Sequence, residues 1–348
     1  MTLPLASRLF GPLRVLPFLL PVSAAIAQTE PSALQWLQRI YAATQKLSYT
    51  GTFVYQQGQK VETFRIIHIV EASGPRERLE TLDGIPREIT RTGDEVVCYL
   101  PASMTVKIDK QPVRRAFPAI LSEHLKDLSE NYSIKKGEIE RVGGYSCQVI
   151  ALEPKDRMRY GHRLWADLNT GMLLKAKTFD EKNEVLEQFA FTQLKIGGNI
   201  ERDQLKPRYF RQSRDWRVED SGATRANLAE AGWTIRSRPA GFRTVTELMR
   251  TMGGTSGVGH IVLSDGLAAI SVFIQPATSR QPAPQPGLAR QGAINVYVRP
   301  VGSYWVTVVG EAPPESVKYI ANAVEYQRGG VPQVSAPDPR PAPSRLMR

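Results

Sequence analysis

The sequence predicts an α+β protein of two lobes built mainly from antiparallel strands, and three observations carry that prediction. A chain of 348 residues, 42% hydrophobic and 23% charged, has the size of about two globular domains and a composition able to fill packed cores. From residue 48 to residue 196 apolar positions recur on a strand period, broken by Gly, Asn and Asp turn signals, with one helical pattern ahead of them and one inside. A charged, irregular stretch from Gly197 to Asn227 then separates this block from a second patterned block.

The elements follow in order. Ala33, Leu34, Leu37, Ile40 and Tyr41 recur at helical spacing, with Pro31 where a first turn tolerates it. Tyr49, Phe53 and Tyr55 then alternate, Gln57-Gly58 makes a turn, and residues 61–70 run back, which is a hairpin. Strands are expected at 76–82, 86–90, 95–100 and 105–108, separated by Asp83-Gly84, Gly93-Asp94 and Pro101. Leu121, Leu125 and Leu128 mark a helix over about 118–128, after which strands resume at 138–142, 145–152, 161–168, 172–179 and 185–196. Phe64, Ile66 and Val70 oppose Ile67 and Ile69, and Phe189 and Phe191 oppose Ala190 and Leu194. Strands apolar on both sides imply a sheet covered on both faces or curved around a cavity.

In the second block a strand is expected near 233–238, a helix near 245–252, and a hairpin in which Ser264-Asp265-Gly266 joins 260–263 to 267–274. Two strands, 294–299 and 304–309, lead to a helix opened by Pro313-Pro314 and striped by Val317, Ile320, Ala321 and Val324. The Pro- and Gln-rich stretch 275–291 reads as a loop, and the residues after Gly329 as a tail.

The first residues read as an export signal: Arg8 and Arg14 precede an uncharged run from Val15 that ends in Ala25-Ile26-Ala27, so cleavage is expected before Gln28. The run is shorter than the ~20 residues a spanning helix needs, so a retained anchor is the lesser reading. Removing two arginines takes the net charge from +11 to 11 − 2 = +9, which allows an anionic partner without identifying one. Two cysteines exclude a disulfide-dense scaffold and a four-thiolate zinc site. In an oxidising compartment Cys98 and Cys147 are expected to pair, closing a loop worth on the order of 4 kcal/mol; two buried free thiols are the alternative.

Catalytic chemistry is absent from the pattern. Gly253-Gly254-Thr255-Ser256-Gly257-Val258-Gly259 lacks the Lys-Ser/Thr pair of a phosphate loop and reads as a turn between helix and hairpin. His68, His124, His162 and His260 stand singly, away from metal-ligand spacings, and Ser264-Asp265-Gly266 is a hairpin turn, not a nucleophile elbow. Arg208, Arg211, Arg214 and Arg217, interleaved with Tyr209, Phe210 and Trp216, resemble nucleic-acid chemistry in composition alone and read as an interdomain linker. Arg236, Arg238, Arg243 and Arg250 offer a denser cationic face, suited to a carboxylate-bearing peptide or a lipid phosphate or simply solvated.

Longer stretches carry a resemblance. Leu34-Gln35-Trp36-Leu37, Tyr49-Thr50-Gly51-Thr52-Phe53-Val54-Tyr55, Leu164-Trp165-Ala166-Asp167, Thr170-Gly171-Met172-Leu173-Leu174 and Leu186-Glu187-Gln188-Phe189 resemble the MucB/RseB family of periplasmic sigma-factor regulators. Gly241-Phe242, His260-Ile261-Val262-Leu263-Ser264-Asp265-Gly266-Leu267 and Val306-Thr307-Val308-Val309-Gly310-Glu311 match its second domain. The resemblance implies a lipoprotein-carrier-like first domain, a curved antiparallel half-barrel embracing helices over an apolar cavity, and a smaller mixed α/β second domain. It further implies a periplasmic negative regulator of the sigma-E (AlgU-type) envelope stress response. Such a protein binds the periplasmic domain of a membrane-spanning anti-sigma factor, shields it from site-1 proteolysis and is released by a lipid or lipopolysaccharide signal.

The expected organisation is a signal peptide over 1–27, a sensor domain over 28–197, a linker over 198–226, a second domain over 227–329 and a disordered tail over 330–348. Phe53, Tyr55, Trp165, Phe189 and Phe191 are the candidates for a lipid cavity, and Arg236, Arg238 and Arg243 for partner binding. No enzyme activity, cofactor, metal or nucleic acid is expected, and homo-oligomerisation is left open. The alternative function is a lipid or lipoprotein carrier, which would leave the second domain and its arginines unexplained; a periplasmic hydrolase lacks a converging nucleophile and base.

Overall fold

The structure, a computed structural model, describes residues 30–110, 121, 125–277 and 284–327. The expected signal peptide and tail lie outside these residues, as does most of the helix expected over 118–128. From Ser32 onward the described residues form one compact unit, with two large sheets as its two lobes.

Helix α1 (Ala33–Lys46) starts because Ser32 and Gln35 cap each other: the Gln35 N–H donates to Ser32 Oγ at 3.3 Å and the Ser32 N–H to Gln35 Oε1 at 2.7 Å. Pro31, expected inside the first turn, precedes the cap. Trp36, Leu37, Ile40 and Ala43 form its buried stripe. Strands β1 (Tyr49–Gln57) and β2 (Lys60–Glu71) form the expected hairpin, turning at Gly58, whose φ of +60° suits glycine. The meander continues through β3 (Gly74–Thr81), β4 (Glu88–Thr92), β5 (Glu95–Leu100) and β6 (Thr105–Asp109). Helix α2 (Leu125–Asn131) precedes β7 (Tyr132–Val142), β8 (Tyr145–Pro154), β9 (Gly161–Asp167), β10 (Leu173–Phe179) and β11 (Val185–Ile196). With β12 (Arg217–Asp220) they form an open 12-stranded sheet ordered β12-β6-β5-β4-β3-β2-β1-β11-β10-β9-β8-β7, antiparallel except for β12 on β6. The β7–β8 hairpin reaches β11, where Tyr145 Oη donates to the Leu194 carbonyl at 2.9 Å.

Both faces of β2 are covered, as its two-sided apolarity requires. Phe64 and Ile66 enter the main core with Trp36, Leu37 and Phe191, whereas Ile67 and Ile69 pack beneath Leu205 and Ile200 of the segment following β11. That segment is strapped down by carboxylates: Glu88 Oε2 accepts the Arg208 N–H at 2.9 Å, and Arg208 is ion-paired to Glu80. The expected linker thus supplies a cover for one sheet face and, through β12, an edge strand.

The second lobe comprises β13 (Thr224–Arg225), β14 (Trp233–Ile235), β15 (Arg243–Met252), β16 (Thr255–Ser264), β17 (Ala269–Pro276), β18 (Gly287–Gln291), β19 (Ile294–Val301), β20 (Tyr304–Gly310), α3 (Pro314–Ala323) and β21 (Val324–Tyr326). Seven of these strands form an antiparallel sheet ordered β13-β15-β16-β17-β20-β19-β18, and β14 pairs with β21. The stripe Val317, Ile320, Ala321 and Val324 is buried as expected, in one core with Val272, Ile274, Val306 and Val308.

Two expectations fail here. Residues 245–252, expected as a helix, belong to β15: Leu248 pairs with His260 and Glu247 with Ile261, while Val245 is 63% exposed. The β-branched run Thr244-Val245-Thr246 suits a strand, and pairing with the buried β16 satisfies a backbone that a helix would have satisfied locally. Gly253 and Gly254, at φ +56° and +81°, accordingly join two strands rather than a helix and a hairpin. The stretch 275–291 is not wholly loop, since β17 runs to Pro276 and Gly287–Gln291 pairs with β19; residues 278–283 lie outside the described residues.

Candidate functional site: the aromatic core and the arginine face

Phe53 and Tyr55 on β1 face Phe189 and Phe191 on β11, because Phe53 pairs with Phe191 and Tyr55 with Phe189. Their rings fill space against one another: Phe53 lies 5.5 Å from Phe191 and stacks on Phe64 at 5.2 Å, and Phe189 meets Phe191 edge-on at 6.4 Å. All three phenylalanines are buried, whereas Tyr55 is half-buried and donates its hydroxyl to Glu187 Oε2 at 2.7 Å. Trp165 is buried in the same hydrophobic core but on a different face of the sheet. It pairs with Lys175, which pairs with Ala190, so strand alternation puts the indole on the opposite sheet face from Phe189 and Phe191. There Nε1 donates to Glu140 Oε2 at 2.9 Å and the Lys175 ammonium sits 4.5 Å over the ring. None of the five lines the cleft of about 550 Å³ that Thr50, Thr52, Arg65, Lys195 and Gln204 help to bound.

Cys98 and Cys147 are free thiols, and the expected disulfide is not formed. Cys98 lies on β5 and Cys147 on β8, with β4, β3, β2, β1, β11, β10 and β9 between them in the sheet. Two strand positions carry no information about which strands are neighbours, and a bridge needs Cα atoms within about 7 Å. Burial, with Asp167 adding to it, pushes the Cys147 thiol up to about 11, and burial also raises Cys98 against the pull of Arg87 and Lys107. Both are therefore poor nucleophiles at neutral pH.

The arginine face is divided among partners. Arg236 is ion-paired to Glu325 within its own lobe. Arg243 Nη1 reaches Asp127 Oδ2 of α2 at 2.7 Å, and Arg250 Nη2 reaches Asp109 Oδ2 at the end of β6 at 2.6 Å, so both tie the second lobe to the first. The acids that pair Arg243 and Arg250 come from sequence more than 100 residues away. Arg238 is exposed and has no ion pair among the described residues. His260, stacked on Phe273 at 4.2 Å, lies 3.3 Å from the Arg250 guanidinium; burial, reinforced by that charge, pushes it down to about 4.

The centre of the seam was not found from sequence. Asp265 uses Oδ1 to cap its own hairpin, accepting the N–H of Leu267 at 3.0 Å and of Ala268 at 2.8 Å. Its Oδ2 crosses to the first lobe and accepts Arg159 Nη1 at 2.7 Å and Tyr132 Oη at 3.0 Å. Arg159 also binds the Ala240 carbonyl at 2.6 Å and both oxygens of Asp156. Burial disfavours the Arg159 charge, but Asp156 and Asp265 more than restore it; burial and Asp265 together raise the Tyr132 hydroxyl. Ser316 Oγ donating to the Met158 carbonyl at 2.6 Å and Asn295 Nδ2 donating to Tyr160 Oη at 2.9 Å extend the seam. The sequence signal for Asp265 was only that of a turn, and Arg159 stood in an unpatterned connection.

Among the described residues no three His, Cys, Asp or Glu side chains gather as a metal site, and no helix is long and apolar enough to cross a membrane. The described residues form a closed aromatic core in the first lobe and a charged seam between the lobes.

Comparison with known proteins finds matches in both lobes. The profile of the MucB/RseB N-terminal domain matches residues 32–209, and that of the MucB/RseB C-terminal domain matches residues 227–325. The sigma factor AlgU regulatory protein MucB of Pseudomonas aeruginosa is 32% identical over 311 residues, covering 86% of this chain and 93% of that protein. The sigma-E factor regulatory protein RseB of Escherichia coli K12 is 26% identical over 318 residues, covering 87% of this chain and 93% of that protein. MucB in the solved Pseudomonas aeruginosa MucA/MucB complex superimposes with a TM-score of 0.66 at 28% identity, covering 85% of this chain and 99% of that one. With matches that run through both lobes, this chain belongs to the MucB/RseB family.

Proposed function

We propose that this protein is a periplasmic negative regulator that binds the periplasmic domain of a MucA- or RseA-like anti-sigma factor and shields it from site-1 proteolysis. The observation that supports this most is the likeness to MucB across both lobes, since MucB has been solved in complex with the periplasmic part of MucA. The protein acts by binding, without catalysis or cofactor. The anti-sigma segment lies along the second lobe and the seam, where Arg238 has no ion pair among the described residues, and Arg236 and Arg243 would exchange their present carboxylates for the partner's. A lipid or lipopolysaccharide acyl chain releases it by entering between the first sheet and its helices, a lipoprotein-carrier-like cavity reached by parting Phe53, Phe189 and Phe191, with Tyr55 at the margin. Trp165, on the other face, takes no part. A ligand shifts binding only by its differential affinity for the two states, so the acyl chain must favour the partner-free form.

The test is calorimetric titration of the anti-sigma factor's periplasmic domain into the protein, repeated with lipid A and with a long-chain phospholipid. Tight binding of the domain that weakens as lipid saturates is the expected result. Absence of domain binding removes the regulatory reading, and unchanged affinity at verified lipid saturation removes the release mechanism. Charge reversal at Arg238 that leaves affinity unchanged removes its role.

A further inference from the structure

The segment Arg208–Arg217 holds four arginines against one acid, Asp215, and places three aromatic residues among them. Its base is rigid. Glu88 Oε2 accepts the N–H of Arg208 at 2.9 Å and of Tyr209 at 3.4 Å, Arg208 is ion-paired to Glu80, and Arg78 Nη1 donates to the Gln204 carbonyl at 3.1 Å. Beyond Tyr209 the chain turns out and back: the Ser213 N–H donates to the Tyr209 carbonyl at 2.8 Å, a 3₁₀ turn covers Gln212–Asp215, and Trp216 returns to lie 5.9 Å from the Tyr209 ring. The Arg217 N–H then joins the Met104 carbonyl at 2.9 Å and starts β12.

This elbow displays what a folded protein ordinarily hides. Phe210 is 59% exposed, and at the start of β12, where the Met104 carbonyl holds the Arg217 N–H, Val218 and Met104 are 59% and 64% exposed. Arg211 and Arg214 are exposed and have no ion pair among the described residues. Three residues apart in a tight turn, they project to one side. Cations flanking exposed aromatic and aliphatic side chains on a rigid base match the two layers of a lipid surface, where phosphates lie outside and the apolar boundary lies just beneath. Nucleic acid would use the arginines and rings but has no counterpart for Met104 and Val218.

We propose that the elbow over residues 209–218, with Met104, docks on an anionic bilayer surface, Arg211 and Arg214 against lipid phosphates and Phe210 in the interfacial layer. The docking is peripheral and independent of the proposed anti-sigma partner, and it would hold the protein beside a membrane whether or not that partner is bound.

The experiment is vesicle flotation of the full chain and of the chain beginning at Gln28, which retains the whole compact unit. Vesicles are phosphatidylcholine with and without phosphatidylglycerol, and no anti-sigma factor is present, so the outcome is separate from that of the regulatory reading. Both forms are expected to float only with the anionic vesicles and to dissociate at high salt, where screening shrinks to a few ångströms. Each arginine near the surface is worth about fivefold in partitioning, so R211Q/R214Q should weaken it roughly 25-fold, and F210S should weaken it further with the thermal midpoint unchanged. The proposal is overturned by lack of flotation, by equal flotation with neutral vesicles, by binding that needs residues 1–27, or by R211Q/R214Q without effect. Equal affinity for heparin or single-stranded DNA combined with no effect of F210S would make the elbow a polyanion site and overturn it as well.

Discussion

Arg159 and Asp265, 106 residues apart in sequence, form a fully buried ion pair across the seam between the lobes, Nη1 to Oδ2 at 2.7 Å. Removing one partner leaves the other with unmet charge away from water, which costs up to about 3–5 kcal/mol although Asp156 still holds Arg159 when Asp265 is lost, whereas replacing both by apolar groups avoids that penalty. Asp265→Ala is therefore expected to lower stability by about that amount, with some loss from its two turn hydrogen bonds. Arg159→Met/Asp265→Leu should be less destabilised than the sum of the two single variants. Arg243→Ala, which breaks an exposed pair with Asp127, should cost at most about 1 kcal/mol. Urea denaturation of the parent and of these variants, the single Arg159→Met and Asp265→Leu included, checks the ranking, and equal losses for Asp265→Ala and Arg243→Ala would contradict it.

His260 makes stability depend on pH. It is 2% exposed and held near 4 when folded, well below its unfolded value of about 6.5. Above pH ~6.5 both states are neutral and the group contributes no pH dependence. Between ~6.5 and ~4 the unfolded chain takes up a proton that the folded one does not, so stability falls as pH falls, by up to ~1.4 kcal/mol per unit. His162, also pushed down to about 4 by burial, adds in the same direction. Denaturation curves from pH 7 to 4.5 should show a shallower decline for His260→Gln than for the parent.

Gly241 has φ +79°, and a Cβ there would clash with the Asn131 side-chain amide, at the join between the second lobe and α2. Gly84, at φ +71° in the β3–β4 turn, has nothing within 4 Å of such an atom. Gly84→Ala should thus cost only the backbone strain, about 1 kcal/mol, and Gly241→Ala about 1–3 kcal/mol more as Asn131 and the seam are displaced. Thermal midpoints of the pair separate the two effects.

Both thiols should react with an alkylating agent in denaturant without reductant, giving two labels per chain. In the native protein Cys147, fully buried, should label far more slowly than half-buried Cys98. A single species with no label would reinstate the disulfide, and a thermal midpoint lowered by reductant would point the same way.

Phe191→Ala removes a ring that touches Tyr49, Phe53 and Phe189 and should cost about 3–5 kcal/mol. Tyr55→Phe deletes only the hydroxyl bonded to Glu187 and should cost about 1 kcal/mol. If an acyl chain enters by parting these rings, Phe191→Ala should also bind it more readily, measured by displacement of a fluorescent fatty acid.

Sequence alone determined what depends on near neighbours. The cap and stripe of α1, the hairpins turning at Gly58 and at Asp265, the alternation in β1 and β11 and the stripe of α3 all follow from spacing within a few residues and from glycine's access to positive φ. The family also was legible, because matching stretches run through both lobes. Tertiary structure decided whatever depends on a partner distant in the chain. Residues 245–252 are a strand because β16 lies beside them, Trp165 is separated from the phenylalanines by the register with Lys175 and Ala190, and Cys98 and Cys147 stay free because seven strands intervene. The charged seam was invisible for the same reason. A single Asp in a hairpin turn and a single Arg in an unpatterned connection carry no sign of each other, and their attraction acts only once folding has brought them together in a space without water.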